Sequence, residues 1–168
     1  MSKVLLVIDM QNDFIDGSLG TKEAVSIVPK VVEKIKVAKA EGTDIIFTKD
    51  THSANYLTTM EGKKLPVEHC IKPSHGWEIR EELLPYVESV VEKGTFGSID
   101  LPELVSNYDT IELVGLCTDI CVISNALLLK ANFPEKEFIV DSTCCAGVTK
   151  DSHKNALEAM KMCHIDVI

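Results

Sequence analysis

Three residues far apart in the chain, Asp9, Lys93 and Cys121, carry side chains that together could hydrolyse an amide. A carboxylate can take a thiol proton and later return it to a leaving amine. An ammonium favours the anionic forms of its neighbours. A thiolate adds to a carbonyl carbon and gives a thioester. Each residue follows an apolar run that reads as a strand: 3–8 before Asp9, 87–92 before Lys93 and 110–115 before Cys121. The polar pair Thr118-Asp119 can cap the helix expected next, which puts Cys121 in its first turn. Free amide N–H groups and the positive end of the helix dipole lie there and favour a thiolate. Spacing alone is equally consistent with a plain Asp9–Lys93 salt bridge beside a cysteine that only packs.

A second group of reactive side chains lies in 50–76, a stretch without helical or strand periodicity. A loop that long inside a compact domain is uncommon and is often functional. It carries Asp50, His52, Glu61, His69 and His75. Two imidazoles with two carboxylates suit zinc, manganese or iron and leave room for water or a ligand. An ordinary polar surface loop is the competing reading.

The elements that must position these groups alternate. VLLVI within 3–8 is continuous and apolar, as in a central parallel strand covered on both faces. A helical stripe over 27–40 ends at Gly42, and DIIFT at 44–48 is the second strand. A short helix over 77–84, a third strand over 87–92 and a helix over 99–106 follow. Then come the fourth strand, the helix after Thr118, a fifth strand over 137–140 ending at Asp141, a helix over 152–162 and a sixth strand over 165–168. This order predicts an α/β fold: a three-layer, doubly wound sandwich with a mostly parallel six-stranded sheet and helices on both faces. Ligands of such sheets bind at the carboxyl ends of the strands, where Asp9, Lys93 and Cys121 would converge. The GxGxxG and GxxxxGK phosphate signatures are absent.

The 168 residues suggest one domain, 1–168, and 45% hydrophobic content argues against disorder. A formal charge of −9 without a basic block argues against a nucleic-acid partner. No apolar run approaches the roughly 20 residues a membrane span needs. The first ten residues are too short and too acidic to read as a signal peptide. A soluble, cytoplasmic protein is expected, with its six cysteines reduced. Cys144, Cys145 and Cys163 read as small buried hydrophobes.

VIDMQNDF at 7–14, Lys93 after a strand and GLCTDICV at 115–122 resemble the isochorismatase-like cysteine hydrolases over essentially the whole chain. The resemblance implies that Asp9, Lys93 and Cys121 form a catalytic triad. It also implies a cis peptide at Leu116–Cys117 and an oxyanion hole made of the Cys117 and Cys121 N–H groups. One such donor is worth roughly 2.7–4 kcal/mol of barrier. Cys117 would then act through its backbone alone, Asp119 as a helix cap and Asp141 as a structural residue.

Asp50-Thr51-His52, Glu61 and His69-Cys70 look like the metal site of the nicotinamidases in that superfamily. The implied cofactor is one divalent transition metal, zinc first, with manganese and iron as alternatives. Many members carry a second histidine where this chain has Thr58, so Glu61 serves here as the fourth ligand, with His75 at the surface. The implied substrate is a small molecule: nicotinamide, whose ring nitrogen meets the metal while its carboxamide faces Cys121, giving nicotinate and ammonia. Phe14 matches an aromatic that packs on the ring, with core packing as its other reading. Relatives carry an aromatic shortly before the His-Cys pair, where this chain reads Leu65-Pro66-Val67-Glu68-His69. That pocket wall would be aliphatic, from Leu65, or come from Trp77 or Phe96. The rivals are a hydrolase of the same fold acting on another amide or an isochorismate-like enol ether, and a non-enzymatic binding member. Family habit implies a homo-oligomer.

Overall fold

A strand without polar alternation needs cover on both faces, and the computed structural model, which describes residues 1–168, shows how that cover is built. Lys3–Ile8 (β1) is followed by a short helix, Asn12–Ile15 (α1), and a long one, Lys22–Ala40 (α2). Asp44–Asp50 (β2), the short helix Met60–Lys64 (α3), Val90–Lys93 (β3) and Leu101–Leu104 (α4) come next. Thr110–Leu116 (β4) leads into a π-turn at Thr118–Val122 and then Ile123–Asn132 (α5). Glu137–Ala146 (β5), Lys150–Met162 (α6) and Asp166–Val167 (β6) complete the chain.

All six strands are parallel, in the order β3-β2-β1-β4-β5-β6. The direction of winding reverses between β1 and β4, so a crevice opens beyond their carboxyl ends. Side chains of β1 alternate between two cores. Leu5 and Val7 pack with Ile27, Val31 and Ile35 of α2. Val4, Leu6 and Ile8 pack with Ala126 and Leu129 of α5 and Met160 of α6. The expected three-layer arrangement is therefore present. No helix is long and apolar enough to cross a membrane.

Gly115 lets β4 close on β1. Its φ is +117°, and a Cβ there would lie 2.1 Å from Ile8 O. The register of β4 against β5 shifts between Leu113 and Gly115. That shift re-aims the chain just before the turn bearing Cys121.

Several boundaries differ from the sequence expectation. Helix α2 starts at Lys22 because Thr21 caps it, accepting from the Ala24 N–H at 3.0 Å. No helix covers 77–84; the helical turn is a 3₁₀ segment at Glu81–Tyr86, and Ile79 pairs instead with Gln11. Strand β3 includes Lys93 rather than ending before it. Strand β5 runs well past Asp141, because Cys145 and Ala146 pair with Gly115 and Leu116. Asp141 thus sits within the strand and pairs with Lys34 of α2 at 3.0 Å. Cys163 is exposed rather than buried, at the end of α6, whereas Cys144 and Cys145 are buried.

Candidate active site

Asp9 leaves β1 with φ at +46°, in the left-handed region that costs a residue with a side chain. Thr48 of β2 holds it there: its Oγ1 accepts from the Asp9 N–H at 3.1 Å and donates to Asp9 Oδ1 at 2.6 Å. The other carboxylate oxygen, Oδ2, lies 2.6 Å from Lys93 Nζ at the end of β3. Lys93 Nζ also donates to Thr95 O at 3.0 Å and sits 3.5 Å from Cys121 Sγ. Asp9, Lys93 and Cys121 are all buried. One ammonium thus touches both the acid and the sulfur, and the structure brings the three side chains together.

Burial dominates their protonation. It pushes the Cys121 thiol well above its ordinary value; the Asp9 carboxylate adds to this, and Lys93 opposes it. Burial also raises Asp9, against the pull of Lys93. Burial disfavours the Lys93 ammonium, but Asp9, Cys121 and Asp50 outweigh it and hold the ammonium firmly charged. The resting Cys121 side chain is therefore a thiol, not the thiolate the helix-terminus reading favoured. Moving its proton to Asp9 keeps the net charge of the pocket constant. Lys93 merely exchanges one anionic neighbour for another, so no unpaired charge is created in a low-dielectric space.

Cys121 sits on a π-turn rather than in the first turn of an α-helix. The Val122 N–H bonds Cys117 O at 3.0 Å, five residues back. Such wide turns recur at functional sites because they re-aim one side chain. Asn125, fully buried, braces the turn: its Nδ2 donates to Cys121 O at 2.8 Å and Phe96 O at 3.1 Å, while its Oδ1 accepts from the Ser98 N–H at 2.8 Å. Thr118 Oγ1 meets His153 Nδ1 of α6 at 2.7 Å. Asp119 does not cap the helix; both its oxygens accept from the Val148 N–H at 3.2 Å. The Leu116–Cys117 peptide is cis, where the resemblance located it. The Cys117 N–H has no hydrogen-bond partner within the protein.

Asp50, His52, Glu61 and His69 each present one donor atom, all within 4.8 Å of one another. Asp50 Oδ2 is 2.9 Å from His52 Nε2 and 3.4 Å from His69 Nε2, and Glu61 Oε1 is 3.6 Å from both imidazole nitrogens. Ligands of a tetrahedral ion bound at about 2.0–2.1 Å are about 3.3–3.4 Å apart, close to these separations. His69 Nδ1 lies 2.8 Å from Val67 O, which places its proton there and leaves Nε2 as a lone-pair donor. Two neutral imidazoles and two carboxylates balance one divalent cation, so this donor set fits such an ion. The cluster also abuts the acid–amine pair, because Asp50 Oδ1 is 3.7 Å from Lys93 Nζ and has no hydrogen-bond partner. Burial works against the Asp50 carboxylate, but hydrogen bonds from His52 and His69, made only while their Nε2 atoms carry protons, and the charge of Lys93 overcome it and hold it below the usual range.

The pocket above Cys121 is walled by Phe14, Leu65, Phe96 and Ile120, with Asp50, Glu61 and His69 on one side. Phe14 packs against His69 with ring centroids 5.5 Å apart and the planes tilted by 55°. Trp77 lies elsewhere: its Nε1 donates to Thr51 Oγ1, and Lys49 Nζ sits 3.0 Å over its ring. His75 is an exposed residue, and Thr58 only closes a turn through Asn55 O at 2.7 Å. A concavity of about 780 Å³ along α2 contains none of these groups.

Sequence reasoning missed the bracing residues. Gln11 Nε2 donates to Asp50 O, and Gln11 Oε1 accepts from the Asp50 N–H, both at 2.8 Å. Asp13 Oδ2 accepts from the Cys70 N–H at 2.8 Å, beside His69. Tyr56 packs its ring against His52 at 4.8 Å and His69 at 4.9 Å. Gln11 and Asp13 lie inside the VIDMQNDF stretch, which was a usable signal; Thr48, Tyr56 and Asn125 gave none.

A buried acid, amine and thiol at the switch point of a doubly wound parallel sheet, beside a four-donor cluster, define a class of hydrolase architecture. Residues 3–168 match the isochorismatase domain, and the chain belongs to the isochorismatase family. It is 27% identical over 173 residues to the isochorismatase family protein PncA of Bacillus subtilis, covering 94% of this chain and 93% of that one. The solved nicotinamidase/pyrazinamidase PncA of Bacillus subtilis superposes with a TM-score of 0.87 at 25% identity, over 99% of each chain. The pyrazinamidase of Pyrococcus horikoshii, solved in complex with zinc, superposes with a TM-score of 0.84 at 24% identity, over 100% of this chain and 99% of that one.

Proposed function

We propose that the protein is a nicotinamidase-type amidohydrolase that converts nicotinamide and water to nicotinate and ammonia through a thioester on Cys121. The observation that carries this reading is the shared position of Lys93 Nζ, 2.6 Å from Asp9, 3.5 Å from Cys121 Sγ and 3.7 Å from Asp50 of the donor cluster.

Asp9 Oδ2 takes the Cys121 proton as sulfur adds to the carboxamide carbon. Lys93 stays charged throughout and stabilises first the carboxylate and then the sulfur anion. The Cys117 and Cys121 N–H groups receive the developing oxyanion. Asp9 returns the proton to the departing ammonia, then deprotonates the water that cleaves the thioester and frees Cys121. Asp50, His52, Glu61 and His69 would hold one divalent ion, zinc by the chemistry of the donors, and bound there it supplies a Lewis-acidic anchor for a ring nitrogen. Phe14 and Phe96 exclude water and flank the ring.

Ammonia release tests this with nicotinamide, pyrazinamide and simple aliphatic amides, each with and without chelator, alongside elemental analysis of protein purified without added metal. The heteroaromatic amides are expected to be the substrates, with one transition metal per chain and a loss of turnover on chelation. Absence of ammonia from every amide, or full turnover in metal-free protein, removes this reading. The aliphatic Leu65 in place of an aromatic before His69 favours a second one: a metal-independent family hydrolase acting on another small amide or an enol ether.

A further inference from the structure

The catalytic compartment has a cavity volume of only about 30 Å³, whereas a chamber of about 170 Å³ adjoins it. A single water needs roughly 10–15 Å³ of such space, so the compartment has room for a carboxamide but not for a whole ring, and the chamber has room for several heavy atoms. Phe14, Leu19, Leu65, Cys117 and Ile120 line both spaces. The far end of the chamber is made by Ala24, Leu116 and Val148, and none of Asp9, Lys93, Cys121 or the four donor residues lines it.

The chamber offers little to a charged or hydrogen-bonding group: its one side-chain hydroxyl, on Thr21, accepts from the Ala24 N–H at 3.0 Å. Burial pushes the Cys117 thiol up to about 12, so it is neutral. Two apolar side chains stand at its rim in contact with water, Leu65 at 37% and Val148 at 53% exposure. Apolar walls that end in exposed apolar side chains gain when an apolar ligand covers them.

Resting on the amidase reading above, we propose that this chamber is a specificity pocket, and that the preferred substrates are aromatic carboxamides bearing a short apolar arm. Asp50, Glu61 and His69 line the compartment, and none of the four donors lines the chamber. A ring with its carboxamide toward Cys121 and its nitrogen toward the cluster outgrows the compartment and carries its remaining edge past the shared residues into the chamber. An arm at position 5 of nicotinamide, meta to both groups, leaves from that edge.

The experiment compares kcat/KM for nicotinamide with its 5-methyl, 5-ethyl and 5-propyl derivatives. Each buried methylene is expected to raise kcat/KM roughly fourfold. Two variants probe the chamber without touching the reacting groups: Ala24→Leu, which fills it, and Val148→Asp, which places a charge at its exposed rim. Both are expected to abolish the gain per methylene. A flat or falling series with nicotinamide still turned over overturns the proposal and spares the amidase reading. So does a rising series that persists in both variants. Should no amide be turned over, calorimetric binding of the same series to Cys121→Ala decides. Tighter binding with chain length keeps the chamber and discards the amidase reading, and binding independent of chain length discards the chamber.

Discussion

Cys121 gains protection from burial and loses acidity by it, so its proton has to leave within the pocket. Asp9, itself raised by burial, is matched to receive that proton, which a fully exposed carboxylate of ordinary pKa is not. Cys121→Ala is expected to lose at least about 10⁴-fold in ammonia release with an unchanged circular dichroism spectrum; residual turnover within tenfold of the parent would exclude a sulfur nucleophile. Lys93 is the other half of the balance. Lys93→Met strands the Asp9 carboxylate beside Asp50 and is expected to cost about 3 kcal/mol of stability. Adding Asp9→Asn removes the stranded charge and should recover most of that loss. Urea denaturation of the parent, both single variants and the double variant measures the coupling. Additive effects would mean that the 2.6 Å contact contributes nothing.

The turn that carries Cys121 depends on groups outside it, above all Asn125 of α5, which ties Cys121 O to the segment holding Phe96 and Ser98. Asn125→Ala is expected to lower kcat about tenfold and stability by roughly 1–3 kcal/mol, because three polar partners, two of them in buried bonds, lose their bonds. Steady-state kinetics with thermal unfolding checks it; a stability loss with unchanged kcat would make the brace purely structural. The strands and the candidate residues were legible in the sequence because each obeys a local rule: apolar runs for strands, with the acid just past β1, the amine at the last position of β3 and the thiol on the turn after β4. Helix α3 was not legible, since its five residues are too few to establish a period, although Glu61 depends on it. The π-turn was not either, because TDICV differs from an ordinary first helical turn only through contacts such as Thr118 with His153 and Asp119 with Val148. The missed chamber needs α2 and the segment after β5 side by side, a juxtaposition no local pattern encodes.

Across the whole molecule, the sheet concentrates its chemistry at the carboxyl ends of the strands, while a second set of buried charges serves stability alone. Glu112 of β4 meets Lys3 of β1 at 2.6 Å and Lys34 of α2 at 2.5 Å, and Lys34 also meets Asp141 of β5 at 3.0 Å. The network ties three adjacent strands, β1, β4 and β5, to α2, which covers one face. Burial alone would raise Asp141, but bonds from Thr143 and Lys34 outweigh it and hold its pKa down. Burial would lower Lys34, but Glu112 and Asp141 outweigh it and hold its pKa up. A carboxyl with a depressed folded value stabilises above its unfolded pKa of about 3.9, and that contribution disappears as pH falls through the folded value. An amine with a raised folded value stabilises below about 10.4, and its contribution disappears as pH rises through the folded value. Asp141→Asn should therefore lower the urea midpoint at pH 7, with the gap to the parent closing in acid. Lys34→Met should lower it at pH 7, with the gap narrowing in acid, where Asp141 loses its charge, and closing in strong alkali, where the amine loses its own. Asp141→Asn shares the alkaline limb to the extent that its loss comes from Lys34. Gaps that stay unchanged in both variants as pH falls from 7 through the carboxylate range would assign the loss to packing and hydrogen bonding rather than to charge.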